Sequence, residues 1–275
     1  MKFAAIIAIA LLCTNVHAGG KPRKVKPPVT EHSVIVLNTS VNRVVYEKNP
    51  DRVRSIASIT KLMTAMVVLD QTTNPLKVIK LPTPYMGKRE YTVKELLNLL
   101  LVRSDNYVAE VLSKNFHSNR AAFIQAMNDK AFSLGMLSAQ FKDPSGLNND
   151  NSATASDVAK MLIAAGQYPD IRHSSSQPVV EINSNSKRAR AISINNTNKA
   201  ILDEFDNIVV SKTGTTTSAG KCLAMLVEQQ GQQYSVVIMG ESSRSNRDQE
   251  ARYLLQNHIT PPTTDDILND YNPRF

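Results

Sequence analysis

Residues 58–70 read Ser-Ile-Thr-Lys-Leu-Met-Thr-Ala-Met-Val-Val-Leu-Asp, a run that is apolar on almost every face of a helix. Such a helix cannot lie on a surface, so the rest of the chain must cover it on all sides. It therefore belongs at the centre of one large domain. The flanking sequence offers the cover. Thr92-Val93-Lys94-Glu95 is a capping box ahead of a leucine-rich helix. Further helices are expected over 104–114, over 119–134 with Gly135 as the stop, and over 156–165 with Gly166 as the stop. Earlier in the chain, 33–37 and 43–46 are β-branched runs parted by a polar stretch, which is a hairpin signal. After Pro178 strand patterns return at 179–182, 189–194, 208–211, 223–228 and 234–239, the last two turning around Gln230-Gly231-Gln232. A closing helix over 246–259 ends before Pro261. The fold class expected is α/β: the early hairpin and late strands in one antiparallel sheet covered by helices, and the helical middle as a second lobe across a cleft.

The first residues read as an export signal, with Lys2 as the positive end, an apolar run over 3–12 and Val16-His17-Ala18 as a small-residue cleavage site. The run is too short to span a bilayer, and no later stretch approaches the roughly 20 apolar residues a membrane helix needs. The expected organisation is a signal at 1–18, a basic flexible leader at 19–30, a folded domain at 31–260 with its helical lobe at 71–175, and a polar tail at 261–275. No stable membrane anchor is expected. Cys13 leaves with the signal, so Cys222 stands alone, no intrachain disulfide can form, and Cys222 reads as a small core residue. The net charge of +8 suits acidic partners, but Trp is absent and no nucleic-acid motif appears. No nucleic-acid partner is expected; for an exported chain the acidic partner is the cell wall.

Three short motifs occur in order: Ser58-Ile59-Thr60-Lys61, Ser104-Asp105-Asn106 and Lys212-Thr213-Gly214. Singly each is weak, since Ser184-Asn185-Ser186-Lys187 also fits the first pattern, and Ser113-Lys114-Asn115 and Ser193-Ile194-Asn195 fit the second. The chosen set joins the right order to the right settings: a buried helix start, a turn into a helix and the end of a strand. Lys61 lies one helical turn beyond Ser58 and can reach its hydroxyl. It can take the Ser58 proton only when uncharged, and burial together with the like charge of Lys212 should push its pKa down. The backbone N–H groups of Ser58 and Thr215 can share an oxyanion. Ser104 can relay a proton to a departing amine, and Asn106 can hold Lys61 and a substrate amide. Lys212 and Thr213 can meet a substrate carboxylate, with Gly214 letting a ligand backbone lie beside the strand. The histidines left after signal removal are His32, His117, His173 and His258, and no His-Glu-x-x-His or Gly-x-Ser-x-Gly motif is present. Neither a metal nor another cofactor is implied.

Around these motifs stand Ala57 to Met66, Pro144-Ser145-Gly146-Leu147, Asn196-Thr197-Asn198 and Ala219-Gly220-Lys221-Cys222-Leu223. With them the chain resembles the low-molecular-mass serine penicillin-binding proteins over about residues 34–258, and looks most like the short D-alanyl-D-alanine endopeptidases. The resemblance implies a DD-peptidase and β-lactamase-like transpeptidase fold, with a five-stranded antiparallel sheet flanked by helices. It also implies a periplasmic location in a Gram-negative bacterium, covalent inhibition by β-lactams, and cleavage of D-alanyl-diaminopimelate crosslinks in peptidoglycan peptides through an acyl-enzyme on Ser58. Three alternatives stay open on the residues alone. A DD-carboxypeptidase shares the machinery, and a non-catalytic penicillin-sensing or wall-binding module shares the fold. A class A β-lactamase needs a glutamate three residues before a Leu-Asn pair; here Leu147-Asn148 is present, but that position holds Pro144 and Asp143 is displaced by one.

Overall fold

Strict alternation of side chains across the long strands sends two different apolar sets to two faces of one sheet, and the fold is what covers both. In the computed structural model, which describes residues 32–72, 74–182 and 191–259, the chain opens with β1 (Ser33–Asn38) and β2 (Arg43–Lys48). The short strand β3 (Arg54–Ser55) and a 3-10 turn (Ala57–Ile59) lead into α1 (Thr60–Gln71). A hairpin of β4 (Val78–Tyr85) and β5 (Lys88–Thr92) is followed by α2 (Val93–Leu101), α3 (Asn106–Asn115) and α4 (Arg120–Ser133). Next come β6 (Ser152–Ala153), paired with β3, then α5 (Ala155–Ala165) and α6 (Pro169–Ser176). A second separate hairpin, β7 (Val179–Ile182) and β8 (Ile192–Asn195), precedes α7 (Lys199–Leu202). The chain then runs through β9 (Ile208–Thr216), β10 (Gly220–Gln229), β11 (Gln232–Glu241) and α8 (Arg244–Asn257).

The main sheet is five-stranded and antiparallel, in the order β2-β1-β11-β10-β9. Val34, Val36, Leu223, Met225, Val236 and Ile238 point to one face, which α7 and α8 cover with Ile201, Leu202, Ala251 and Leu254. Ile35, Leu37, Cys222, Ala224, Leu226, Val237 and Met239 point to the other, where they join α1, α2 and α5 in the larger core. Helix α1 is buried from Thr60 through Val68, so the all-round apolar segment is the central helix that its sequence demands. His32, just before β1, sits between Glu241 at the end of β11 (2.9 Å) and Glu250 on α8 (2.7 Å), all three buried. This clamp ties α8 to the sheet. Among the described residues no helix is long and apolar enough to cross a membrane.

The first hairpin, the capping box of α2 and the β10–β11 hairpin lie where the sequence places them. The last turns through Gln230 (φ 50°) and Gly231 (φ 76°), both left-handed, as a two-residue hairpin loop requires. Three expectations are corrected. Strands β7 and β8 do not enter the main sheet: their alternation buries only Val180, Ile182 and Ile194, one face's worth, which seats a hairpin on the larger core. Strand β9 does not end before Lys212 but carries Lys212, Thr213 and Gly214 within it to Thr216. Helix α3 begins at Asn106, because Ser104 is left-handed (φ 63°) and Asp105 caps the helix by accepting from Val108 N. The β4–β5 hairpin is absent from the sequence reading because Pro82 and Pro84 interrupt its strand pattern, and α6 because it is polar and serine-rich. The expected signal, leader and tail, the Ser184-Asn185-Ser186-Lys187 alternative and part of the 189–194 run lie outside the described residues.

The α2 cap is a local feature with a local cost. Thr92→Ala removes the acceptor for Glu95 N and is expected to destabilise the protein by about 1 kcal/mol, read as a shift in the urea midpoint at unchanged slope.

Candidate active site

Ser58 lies in the 3-10 turn that precedes α1, not in the first turn of the α-helix itself. Ala57 before it adopts φ 45°, an unfavourable backbone for a residue with a Cβ, and the strain turns the chain sharply into the helix. Two glycines make room for that turn. A Cβ on Gly146 would stand 1.9 Å from Ala57 O and 2.9 Å from Ser58 N, and one on Gly214 would stand 2.8 Å from Ile56 O. The sequence reading leaves the side of Gly214 free for a ligand. The structure fills that space with the chain's own Ile56–Ser58 backbone, so Gly214 lets β9 press against the serine turn.

Lys61 is fully buried and its Nζ has three partners: Ser58 Oγ at 2.9 Å, Asn106 Oδ1 at 2.7 Å and the carbonyl oxygen of Ser145 at 2.6 Å. Two of the three are pure acceptors. When the ammonium loses a proton, its remaining N–H groups satisfy those two oxygens, and the new lone pair faces the one partner that can donate, the Ser58 hydroxyl. Burial drives that deprotonation, pushing the Lys61 pKa down to about 7 against the opposing pull of the Asp143 and Asp105 carboxylates. The like-charge repulsion expected between Lys61 and Lys212 is mutual and bears on Lys212 as well. Lys212 is itself buried and held well below the ordinary lysine value, first by burial and then by the positive charges of Lys61 and Arg247.

The Ser145 carbonyl is set by a loop that the sequence reading matched to relatives without assigning it a role. Asp143 Oδ1 accepts from Ser145 N (2.6 Å), Gly146 N (2.6 Å) and Ser145 Oγ (3.0 Å), while Oδ2 accepts from Asn148 N. Thr64 Oγ1 on α1 donates to Pro144 O at 2.6 Å, and Asn151 Nδ2 donates to Thr60 Oγ1 at 3.0 Å. The loop is thus anchored along the same helix that carries Lys61.

Above Ser58 lies a cavity of about 290 Å³ lined by Ser58, Ser104, Thr197, Thr213, Thr215 and the cations Lys221, Arg244 and Arg247. Thr213 and Thr215 reach it together because residues two apart share a face of β9, and Thr213 Oγ1 donates to Thr197 Oγ1 at 2.7 Å. Strand β9 is an edge of the main sheet; toward α6 its Ser211 N donates to Ser175 Oγ, and farther along Thr213 and Thr215 border the cavity. Lys212 and Asn106 stand behind the wall, Lys212 donating to Thr213 O at 3.0 Å. The sequence reading matched Thr197 and Lys221 to relatives without assigning them a role, and missed Arg244 and Arg247. Arg247 is 3% exposed and paired with Asp248 (Nε to Oδ1, 2.9 Å), whereas Arg244 is exposed and reaches Thr197 O at 3.3 Å. Cys222 is buried, with its thiol pushed up to about 11 by burial, and takes no part in the cavity wall.

The profile of the D-alanyl-D-alanine carboxypeptidase family matches residues 21–243. The chain is 37% identical over 225 residues to a D-alanyl-D-alanine endopeptidase of Escherichia coli, covering 78% of this chain and 72% of that protein. It is 33% identical over 228 residues to a D-alanyl-D-alanine endopeptidase of Pseudomonas aeruginosa, covering 78% and 73%. The crystal structure of penicillin-binding protein D2 from Listeria monocytogenes in its cefotaxime-bound form superposes with a TM-score of 0.72 at 25% identity, over 86% of this chain and all of that one.

A lysine that can accept the Ser58 proton only when uncharged gives the site a signed pH dependence. The rate at which Ser58 is acylated by a fluorescent acylating reagent is expected to climb as pH rises through about 7 and then level off. A rate still climbing at about pH 9 would mean a lysine near its ordinary value and would remove Lys61 as the base.

Proposed function

This chain belongs to the D-alanyl-D-alanine carboxypeptidase family, and from that premise we propose that Ser58 is the nucleophile of a serine DD-endopeptidase that opens D-alanyl crosslinks in peptidoglycan. The observation that carries the reading is the partnering of Lys61, whose lone pair, once a proton is lost, has only the Ser58 hydroxyl to accept from. Neutral Lys61 takes the Ser58 proton as Oγ attacks the D-alanyl carbonyl. The negative charge that develops on the carbonyl oxygen falls to the N–H groups of Ser58 and Thr215, where each donor contributes roughly 3 kcal/mol. Collapse breaks the C–N bond, and the proton passes through Ser104 to the departing amine. Water then attacks the ester and gives its proton to neutral Lys61, which returns it to Ser58 Oγ as the acyl C–O bond breaks.

Substrate lies beside the cavity end of β9, at Thr213 and Thr215, in the manner of an added strand. A carboxylate beside the scissile bond meets the Thr213 and Thr215 hydroxyls and the field of Arg247, Arg244 and Lys221. Lys212 acts from behind this wall through its hold on Thr213 O, and Gly214 by its close fit to the serine turn. Asn106 keeps Lys61 in place.

Endopeptidase is favoured over carboxypeptidase because the relatives at 33–37% identity are endopeptidases, while the carboxypeptidases of Bacillus subtilis and Haemophilus influenzae stand at 23%. β-Lactams should acylate the same serine, a reading supported by the cefotaxime-bound relative. Rapid hydrolysis of that ester is disfavoured, because Asp143, the carboxylate nearest the β-lactamase position in sequence, has both oxygens engaged by its own loop. An export signal at 1–18 and action in the periplasm complete the proposal, with 31–260 as the working domain.

The test is incubation with crosslinked muropeptides, resolved by chromatography and mass spectrometry. Conversion of dimers to monomers is expected for the parent chain and not for Ser58→Ala, which should also lose penicillin labelling. Release of terminal D-alanine alone would make it a carboxypeptidase, and labelling without turnover a sensor.

A further inference from the structure

The hairpin of β4 and β5 stands apart from both cores' main sheet, yet its tip ends on the second motif. Tyr85, the last residue of β4, donates from its hydroxyl to Asp105 Oδ2, the residue between Ser104 and Asn106. Its ring lies against Tyr107 with centroids 5.1 Å apart. At the turn beside it, Met86 Sδ accepts from Arg103 Nη1 at 3.3 Å. The hairpin is itself held rigidly. Tyr91, fully buried, donates from its hydroxyl to Tyr85 O, and Lys88 pairs with Glu95 at the start of α2 while its Nζ lies 4.5 Å from the centre of the Tyr91 ring.

What the tip touches is a strained segment. Ser104 has φ 63°, a conformation that a residue with a side chain holds only when its surroundings impose it. Asp105 supplies much of that constraint: its N–H donates to Leu99 O at 3.0 Å, and its Oδ1 accepts from Val108 N at 3.1 Å. Both of those bonds fix Asp105 to the helices on either side. The remaining carboxylate oxygen takes Tyr85, with Arg103 Nε at 3.8 Å, and this is the contact that stops the carboxylate from turning away.

We propose that Tyr85 is a positioning residue for the acyl-transfer reaction, acting through Asp105 to hold Ser104 at the cavity wall and Asn106 against Lys61. The inference rests on the reading of Ser104 and Asn106 given under the proposed function. It makes the β4–β5 hairpin a working part of the active site, although none of its residues lies in the cavity wall.

Tyr85→Phe keeps the ring and removes only the hydroxyl. In stopped-flow acylation of the full chain by a fluorescent penicillin, the acylation rate constant at saturation is expected to fall about tenfold or more, with the reagent's dissociation constant changed less than about twofold. Asp105→Asn, which retains an oxygen to cap α3, should show a comparable loss, and Tyr85→Phe should add little to it. Asn119→Ala lies outside the hairpin and removes the acceptor that caps α4 at Ala122 N. It should lower the melting temperature and leave acylation as in the parent. A parental acylation constant in Tyr85→Phe overturns the proposal, as does full additivity with Asp105→Asn. Should Tyr85→Phe fail to fold, a parental constant in Asp105→Asn is equally decisive. Ser58→Ala tests the reading of the site separately, since it abolishes labelling whether or not Tyr85 contributes.

Discussion

A lysine amine enclosed by three oxygen atoms is the constraint around which this molecule is arranged. Moving Lys61 from an ordinary value of 10.5 to about 7 costs the protonated form about 5 kcal/mol. Because the folded state holds the proton less tightly than the unfolded chain, that cost weighs on stability at neutral pH and fades as pH rises toward 10.5. It is offset by the apolar packing of α1, buried from Thr60 to Val68. The same burial that makes the helix central to the fold lowers the pKa of its lysine. Stability and chemistry therefore draw on one segment.

Enclosing Lys61 requires backbone to approach backbone, and this explains details that otherwise look unrelated. Gly146 and Gly214 press on the Ile56–Ser58 turn from a loop and from β9, and neither position has room for a methyl group. Asp143 gathers three backbone N–H groups so that the neighbouring Ser145 carbonyl can face Lys61. Ala57 and Ser104 carry left-handed strain where the serine turn and the second motif meet the lysine. Strain at these points is sustained because the neighbouring elements over-determine it.

Much of this was legible in the sequence where the signal was local. Thr92 and Glu95 announce the cap of α2, strict alternation announces β10 and β11, and a spacing of three places Lys61 under Ser58. The rest is non-local or has no letter of its own. The third acceptor on Lys61 is a main-chain carbonyl, which any residue at position 145 could supply. Arg244 and Arg247 reach the cavity only because α8 is clamped to the sheet over β10 and β11, and nothing in their own neighbourhood marks them. Lys212 was readable as a motif but not as a buried one, since strand β9 runs on through it. The β4–β5 hairpin is hidden by its prolines.

The placement of carboxylates in this site bears on which reaction is fast. Both steps of acyl transfer can use Lys61 and Ser104 as proton carriers, but a β-lactam acyl-enzyme retains its leaving group tethered over the serine and so crowds the approach of water. Enzymes that hydrolyse such esters quickly add a carboxylate base on another face. Here Asp143 is turned inward to build the Ser145 loop, and Asp105 is turned inward to cap α3. Each is committed to holding the lysine's surroundings rather than to activating water. With the proposed roles, the arrangement that suits Lys61 to a departing peptide amine would leave a β-lactam ester without an efficient route off Ser58. On the proposed roles, sensitivity to these inhibitors would follow from the same geometry as the peptidase activity.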